Sequence, residues 1–245
     1  MNLELADKVF IVSGGIRGIG AAIVATLQAE GAQVATIDRE AGATVVADLA
    51  QPGVCTAAVH TITERFGRLD GLVNNAGRND GVGLRSGNPE RFVQSLRENL
   101  LHYYELAQAA LPHLLVTRGA ILNITSKVAE TGQGNTSAYA AANGGRNALT
   151  REWAVELAPL GVRVNAVVVA ECFTPMYEDW LSRLPNPQAT RARIESRIPL
   201  GGRMTTPQEI ANAAVFLLSP AASHITGQLL HVDGGYVHLD RAATS

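Results

Sequence analysis

The sequence predicts an α/β chain in which a doubly wound parallel sheet carries helices on both faces. Three observations lead there. Short apolar runs alternate with longer segments of helical period along the 245 residues, the pattern of strands joined by crossover helices. A glycine-rich turn, SGGIRGIG, directly follows the first apolar run. No linker or internal repeat divides the chain, so residues 1–245 read as a single domain.

Taken in order, KVFIVSG (8–14) reads as a buried strand ending in glycines. Residues 18–30 form a helix stopped by Gly31, and AQVATID (32–38) is the second strand. CTAAVHTITERF (55–66) reads as a short helix, and LDGLVNNAG (69–77) as a strand running into a polar turn. One long helix is expected over 89–115, a strand over 119–126, a helix over 138–158 and a strand over 162–169. TTPQEIANAAVFLLS (205–219) has a threonine cap, a proline just inside and a strong helical period. GQLLHVDGG (227–235) closes the series. Residues 175–203 hold four of the ten prolines and five arginines. They read as interrupted helices that form a flap beside a site.

Bulk composition removes several function classes. A hydrophobic content of 47% with 17% charged residues is ordinary for a globular protein. A net charge of −2 gives no electrostatic case for nucleic acid or an anionic membrane surface. The N-terminus, MNLELADKVF, is not a secretory signal, and no apolar run reaches bilayer length. Cys55 and Cys172 lie far apart in sequence, as expected of a reducing, cytoplasmic compartment. The six histidines include no close pair at metal-ligand spacing, so no metal is expected.

The glycine turn carries the first chemistry. Its spacing is Gly14-x-x-x-Gly18-x-Gly20, between a strand and a helix. Glycines let the backbone approach a pyrophosphate, and unpaired N–H groups at the helix start face its charge. The turn alone also fits a glycine-rich connection without a ligand. Asp38 weighs against that, because it ends the second strand 18 residues past Gly20, where an acid accepts from the adenosine ribose. These features specify a Rossmann-type site. A carboxylate at 38 repels a 2′-phosphate, so NAD is expected over NADP. Arg17 and Arg39 are the groups that could pair with such a phosphate, and both read as a solvated rim.

Along the chain, SGGIRGIG (13–20), Asp48, NNAG (74–77), Asn99, Ser126, Tyr139 and VDGG (232–235) fall in an order that resembles the short-chain dehydrogenase/reductase family. The resemblance implies Gly14, Gly18, Ile19 and Gly20 at the pyrophosphate and Asp38 on the ribose. Asp48 and Leu49 would border adenine, with Asn75, Ala76 and Gly77 beside the cofactor. Cys172 and Thr174, in ECFTPM, would face the nicotinamide carboxamide or the phosphates. Ser126 would hold the substrate oxygen, Tyr139 would exchange its proton, and Asn99 would anchor a proton-relay water. A homotetramer built from the helices at 89–115 and 138–158 is implied as well. The tail HLDRAATS reads as a frayed terminus.

Two positions depart from that family's pattern. Its Tyr-x-x-x-Lys is here Tyr139-Ala-Ala-Ala-Asn143, in a chain whose only lysines are Lys8 and Lys127, and its Pro-Gly is Val169-Ala170. NDGVGL (79–84), TGQGNTSAYAA (131–141), AECFTP (170–175) and GGYVHLDRA (234–242) are similar to the family's sugar-oxidising branch, which includes the L-fucose dehydrogenases. There Ala-Glu follows the sixth strand, which leaves Val169 as the oddity. The branch implies oxidation of the C1 hydroxyl of an aldose to the lactone, with NAD reduced.

An unperturbed tyrosine has a pKa of about 10, and an adjacent ammonium lowers such a value by roughly 1–3 units. Asn143 can hydrogen-bond a cofactor ribose hydroxyl but carries no charge. Turnover at pH 7 is therefore expected to be reduced, rising toward alkaline pH. Lys127 reads as solvent-facing, and Arg146, two turns from Tyr139, as too distant to substitute. For the substrate, Gln133, Glu171 and Trp180 are singled out beside Ser126 and Tyr139, with Asn79, Asp80 and Asn135 as further polar candidates. Glu171 leads them because it follows the sixth strand. A second reading, favoured by Asn143 and Val169, is a catalytically inactive dinucleotide-binding protein.

Overall fold

The structure, a computed structural model, describes residues 2–239; the tail beyond Leu239 lies outside them. The first two strands are β1 (Val9–Ser13) and β2 (Gln33–Asp38), with α1 (Gly18–Ala29) between them. A two-residue strand, β3 (Val45–Val46), follows, too short for periodicity to reveal. Then come α2 (Val54–Phe66), β4 (Gly71–Asn74), α3 (Pro89–Leu96), α4 (His102–Thr117) and β5 (Ala120–Ser126). The rest is α5 (Ser137–Leu157), β6 (Arg163–Val169), α6 (Pro175–Ser182), α7 (Pro187–Glu195), α8 (Pro207–Leu218) and β7 (Leu229–Val232).

All seven strands pair in parallel in the order β3-β2-β1-β4-β5-β6-β7. A parallel strand covered on both faces is apolar throughout, and β1 (VFIVS) is buried at every position. Its residues alternate between two cores with the period of the pleat. Val9 and Ile11 join Ile37, Leu72, Leu106 and Trp153 on one side. Phe10 and Val12 join Ile23, Leu27, Ile210 and Val215 on the other, where α1 packs on α8. The strand order reverses between β1 and β4, and the crevice at the carboxyl ends there is where such sheets bind ligands.

The expected helix over 89–115 runs unbroken from Pro89 to Thr117 but is not α throughout. A π-helical turn at Arg97–Leu101 separates α3 from α4 and contains Asn99. Such turns carry an extra residue and leave the carbonyl ladder open to other donors. Closing against this turn is Gly145 of α5, where a Cβ would stand only 2.9 Å from Leu100. Within 175–203 the chain makes two short helices, α6 and α7, each opened by a proline. Thr206 caps α8 in a capping box with Glu209, and Pro207 is its first residue, as the sequence indicates.

Candidate active site

The turn after β1 is built by contacts rather than by glycine content alone. A Cβ on Gly20 would run into the Gly14 carbonyl oxygen, so α1 can start this close to the turn only with glycine there. Gly18 has φ +56°, a left-handed backbone that glycine adopts without penalty. Asp38 Oδ2 accepts from the Ile16 N–H at 3.1 Å, and Oδ1 from Glu40 N–H at 3.1 Å. The acid at the end of β2 thus holds the turn and keeps lone pairs free on both oxygens.

Each basic residue at this end has an acidic neighbour. Arg17 pairs with Glu40 at 3.0 Å. Arg39 is exposed, and its charge acts on Asp48. Burial works against the Asp48 carboxylate, but the Ala50 N–H, the Gln51 amide, Arg39 and Arg78 outweigh it and hold the carboxyl below its usual range. Leu49 is buried in the core, so only its backbone can border a ligand.

The NNAG loop leaves β4 and leans on β1. Ser13 Oγ accepts from the N–H groups of Asn75 and Ala76 at 2.9 and 3.1 Å. Asn75 Nδ2 donates to the carbonyls of Ser13 and Gly14, each at 3.0 Å. Across the crevice, Thr174 caps α6 and stands with Cγ2 3.4 Å from where a Gly18 Cβ would be. Two loops and a helix start thereby meet at this end of the crevice, an arrangement that suits an extended, phosphate-bearing ligand. Cys172, expected on the cofactor, is instead buried in the core, its thiol pushed up to about 12 by desolvation and the charge of Glu209. Only its backbone remains for that role.

The other half of the site lies at the ends of β5 and β6. Ser126 ends β5 and pairs in register with Val169, which in turn pairs with Val232 of β7. Val169 therefore lets β6 run on to brace Ser126, and its side chain packs in the core. A proline there would lack an N–H for the ladder. Tyr139 lies in the first turn of α5 and is half-buried. Burial pushes the neighbouring Tyr103 hydroxyl well above its ordinary value; the Arg146 charge opposes that shift and Tyr139 adds to it.

Asn143 is fully buried with both ends of its amide engaged. Nδ2 donates to the Tyr139 carbonyl at 2.8 Å, and Oδ1 accepts from Arg146 Nη1 at 3.1 Å. Residues three apart share a helix face, so Arg146 reaches position 143 despite its distance from Tyr139 in sequence. Only 3% exposed, its guanidinium also donates to the Asn99 carbonyl at 2.6 Å and the Ile124 carbonyl at 3.2 Å. It stacks 4.1 Å over the Tyr103 ring. Nη2 has no partner among the described residues and lies 2.8 Å from where a Gly77 Cβ would be.

Asn99 is fully committed as well. Its Oδ1 accepts from the Arg78 N–H at 2.8 Å, and Nδ2 donates to the Ser95 carbonyl at 3.1 Å. Any relay water at Asn99 would share the backbone carbonyl with Arg146. A buried polar chain, Asn74 Nδ2 to Asn123 Oδ1 at 3.0 Å and Asn123 Nδ2 to Thr150 Oγ1 at 2.9 Å, fastens α5 to β4 and β5.

Lys127 is not solvent-facing, contrary to the sequence reading. It is 6% exposed, ion-paired with Glu171, and its Nζ sits 4.0 Å from the Tyr236 ring centroid. Glu171 Oε2 accepts from the Tyr177 hydroxyl at 2.7 Å. Desolvation, and then that carboxylate, raise the Tyr177 hydroxyl far above the usual range. Tyr177 meets Trp180 edge-on with centroids 5.2 Å apart. Trp180 is 47% exposed. Gln133 is exposed, outside this network. The spacing of Lys127, Glu171 and Tyr177 in sequence gives no signal that they meet; only the adjacency of β5 and β6 brings them together.

Residues 14–237 match the protein family described as "Enoyl-(Acyl carrier protein) reductase". The chain is 39% identical to an L-fucose dehydrogenase of Rattus norvegicus over 94% of its own length and 89% of that protein's. It is 36% identical to a 3-oxoacyl-[acyl-carrier-protein] reductase of Vibrio cholerae, covering 96% of this chain and 98% of the other. Among solved structures, Cj0485 dehydrogenase superposes with a TM-score of 0.96 at 42% identity over 99% of both chains. The ligand-free aldohexose dehydrogenase of Thermoplasma acidophilum does so with a TM-score of 0.93 at 31% identity over 100% of both. The family match over residues 14–237 and the near whole-chain likeness to these relatives show that the protein belongs to the short-chain dehydrogenase/reductase family of oxidoreductases.

Proposed function

We propose that the chain is an NAD-dependent dehydrogenase that oxidises the C1 hydroxyl of an aldose, L-fucose or a close relative, to the lactone. The observation that carries this reading is the Lys127–Glu171–Tyr177 network at the carboxyl ends of β5 and β6. A carboxylate neutralised by one neighbour and hydrogen-bonded by another still offers lone pairs to sugar hydroxyls. An acyl chain would meet a desolvated ion pair there instead. The half-exposed Trp180 supplies a ring face for stacking. The likeness to L-fucose and aldohexose dehydrogenases supports the same class.

In this reading the glycine turn, the NNAG loop and Thr174 hold the dinucleotide, with Asp38 accepting from its ribose. Pairing of Arg17 with Glu40 supports NAD over NADP, since it occupies one of the two cations that could meet a 2′-phosphate. The dinucleotide held there would supply the hydride acceptor for C1. Ser126 holds the C1 oxygen and Tyr139 takes its proton. The lysine that the family pattern has at 143 would serve the phenol and the ribose. Here Asn143 is turned toward the protein, and the nearby fixed charge is Arg146. Turnover at pH 7 is slow and rises toward pH 10.

Apolar Val93, Leu100, Leu101, Tyr104 and Leu149 line a groove of about 450 Å³ where α3, α4 and α5 meet. This supports packing of copies into a homotetramer. Both cysteines are buried and unpaired, and no described helix is long and apolar enough to cross a membrane; the cysteines fit a cytoplasmic setting.

The test is reduction of NAD and of NADP by a panel of aldoses at pH 7 and pH 10, beside oxidation of NADPH by a 3-oxoacyl thioester. Reduction of NAD by L-fucose or another aldose, faster at pH 10, is expected. Thioester reduction without any aldose oxidation would replace this reading with an acyl reductase. Tight NAD binding without either activity would favour the inactive dinucleotide-binding protein, to which the buried amide of Asn143 also points.

A further inference from the structure

Three side chains outside the proposed active site converge on one point. Glu130 follows the short turn after Ser126, His231 lies on β7, and His238 follows the turn that leaves β7. Their ligand atoms all lie within 4.8 Å of one another. Glu130 Oε2 stands 3.1 Å from His231 Nε2 and 3.9 Å from His238 Nε2, and the two imidazoles meet edge-on with centroids 4.4 Å apart. Histidines seven positions apart showed no metal spacing in the sequence. The turn after β7, where Asp233 accepts from the N–H groups of Gly235 and Val237, folds the second back beside the first.

We propose that Glu130, His231 and His238 bind a zinc ion or a similar borderline divalent metal. Two imidazoles and one carboxylate are a donor set that zinc takes with a water in the fourth position. With bonds of about 2.1 Å, neighbouring ligand atoms of a tetrahedral site stand roughly 3.4 Å apart. The two Glu130–histidine separations, 3.1 and 3.9 Å, fall on either side of that value. Small rotations of three partly exposed side chains would close the set.

The surroundings favour a hydrated ion. The cluster borders a cavity of about 660 Å³ that Asn147 also lines. Asn147 is only 6% exposed, and its Nδ2 reaches Glu130 Oε1 at 3.4 Å. Its Oδ1 has no hydrogen-bond partner among the described residues, an acceptor left for a metal-bound water. Arg151 lines the cavity too; it is exposed and able to turn its charge into solvent. Neither cysteine competes, since both are buried elsewhere.

The site would tie the segment after β7 to the turn that carries Lys127, already touched by the Tyr236 ring. A bound ion would thus stiffen the wall next to Ser126 without contacting the substrate oxygen.

Calorimetric titration of the tag-free full chain with zinc chloride, and separately with magnesium chloride, tests this. One zinc per chain with a micromolar Kd is expected, with no magnesium binding, since magnesium prefers all-oxygen sites. His238→Ala, at an exposed position, should weaken zinc at least tenfold while leaving metal-free thermal unfolding unchanged. Glu130→Gln should act in the same direction. His60→Ala, which removes the exposed His60–Glu64 pair, should change nothing. Absence of zinc binding below millimolar concentration, or unchanged affinity in His238→Ala, would overturn the proposal.

Discussion

The half of the crevice built on β1, β2 and β4 and the half built on β5 and β6 are held by different physics. In the first, backbone does the positioning: Gly20 against the Gly14 carbonyl, and paired N–H groups on Ser13 Oγ. In the second, charged side chains do it, through Arg146 on two carbonyls and one amide and Lys127 on Glu171. Backbone contacts depend on the absence of a Cβ and tolerate little change. Side-chain networks can exchange members, provided charge and hydrogen bonds are still satisfied. That is where this chain departs from its family's pattern, at Asn143 and Val169.

The largest effect that would sharpen this contrast is expected from Asn143→Lys. Asn143 is fully buried and Arg146 is 3% exposed, so the new ammonium would face a desolvated guanidinium. A loss of about 3–5 kcal/mol in urea unfolding is expected, most of it recovered by adding Arg146→Val. If the single variant is as stable as the parent, the idea that the two positions share one charge is wrong.

Next in size, Gly20→Ala should break the backbone half. NAD affinity should fall at least 100-fold, about 2.7 kcal/mol, as read by a fluorescence titration with NADH. Affinity within a few-fold of the parent would mean that α1 can retreat from the turn and that the cradle is not rigid.

A smaller effect concerns His102, under the π-helical turn. Burial, and then the charge of Arg146, lower its pKa to about 4. Its Nε2 donates to the Glu98 carbonyl at 3.0 Å, while the buried Nδ1 has no partner among the described residues, so a second proton would go unsatisfied and the neutral ring is the one the fold accommodates. The unfolded chain, with an ordinary histidine pKa near 6.5, binds the proton over the window where the folded chain refuses it. Stability should therefore fall as pH drops from 6.5 toward 4, by about 2 kcal/mol between pH 7 and pH 5. In His102→Gln this slope should flatten; an unchanged slope would assign it to other groups.

Much of the backbone half was legible in the sequence, because its signals are local. A strand, a glycine spacing and an acid at the next strand's end specify the turn without reference to distant residues. The side-chain half was legible only as positions. Ser126, Tyr139 and Asn99 stood out by family order, but nothing near residue 97 announces a π-helical turn. The burial of Lys127 depends on Glu171 and Tyr236, set beside it by strands remote in sequence. Arg146 was weighed in the sequence only for its distance to Tyr139, so its contact with Asn143, one turn away on the same face, was missed. His231 and His238 were passed over because a turn, not a helix, brings them together.

The Arg146–Asn143 hydrogen bond also makes the two positions one unit for substitution. A lysine at 143 beside the present arginine would bury two cations side by side, whereas the neutral amide there receives the guanidinium. With the arginine held on the Asn99 and Ile124 carbonyls, lysine alone at 143 is the costly change. The pair therefore behaves as a lock: position 143 admits a lysine only once Arg146 is replaced.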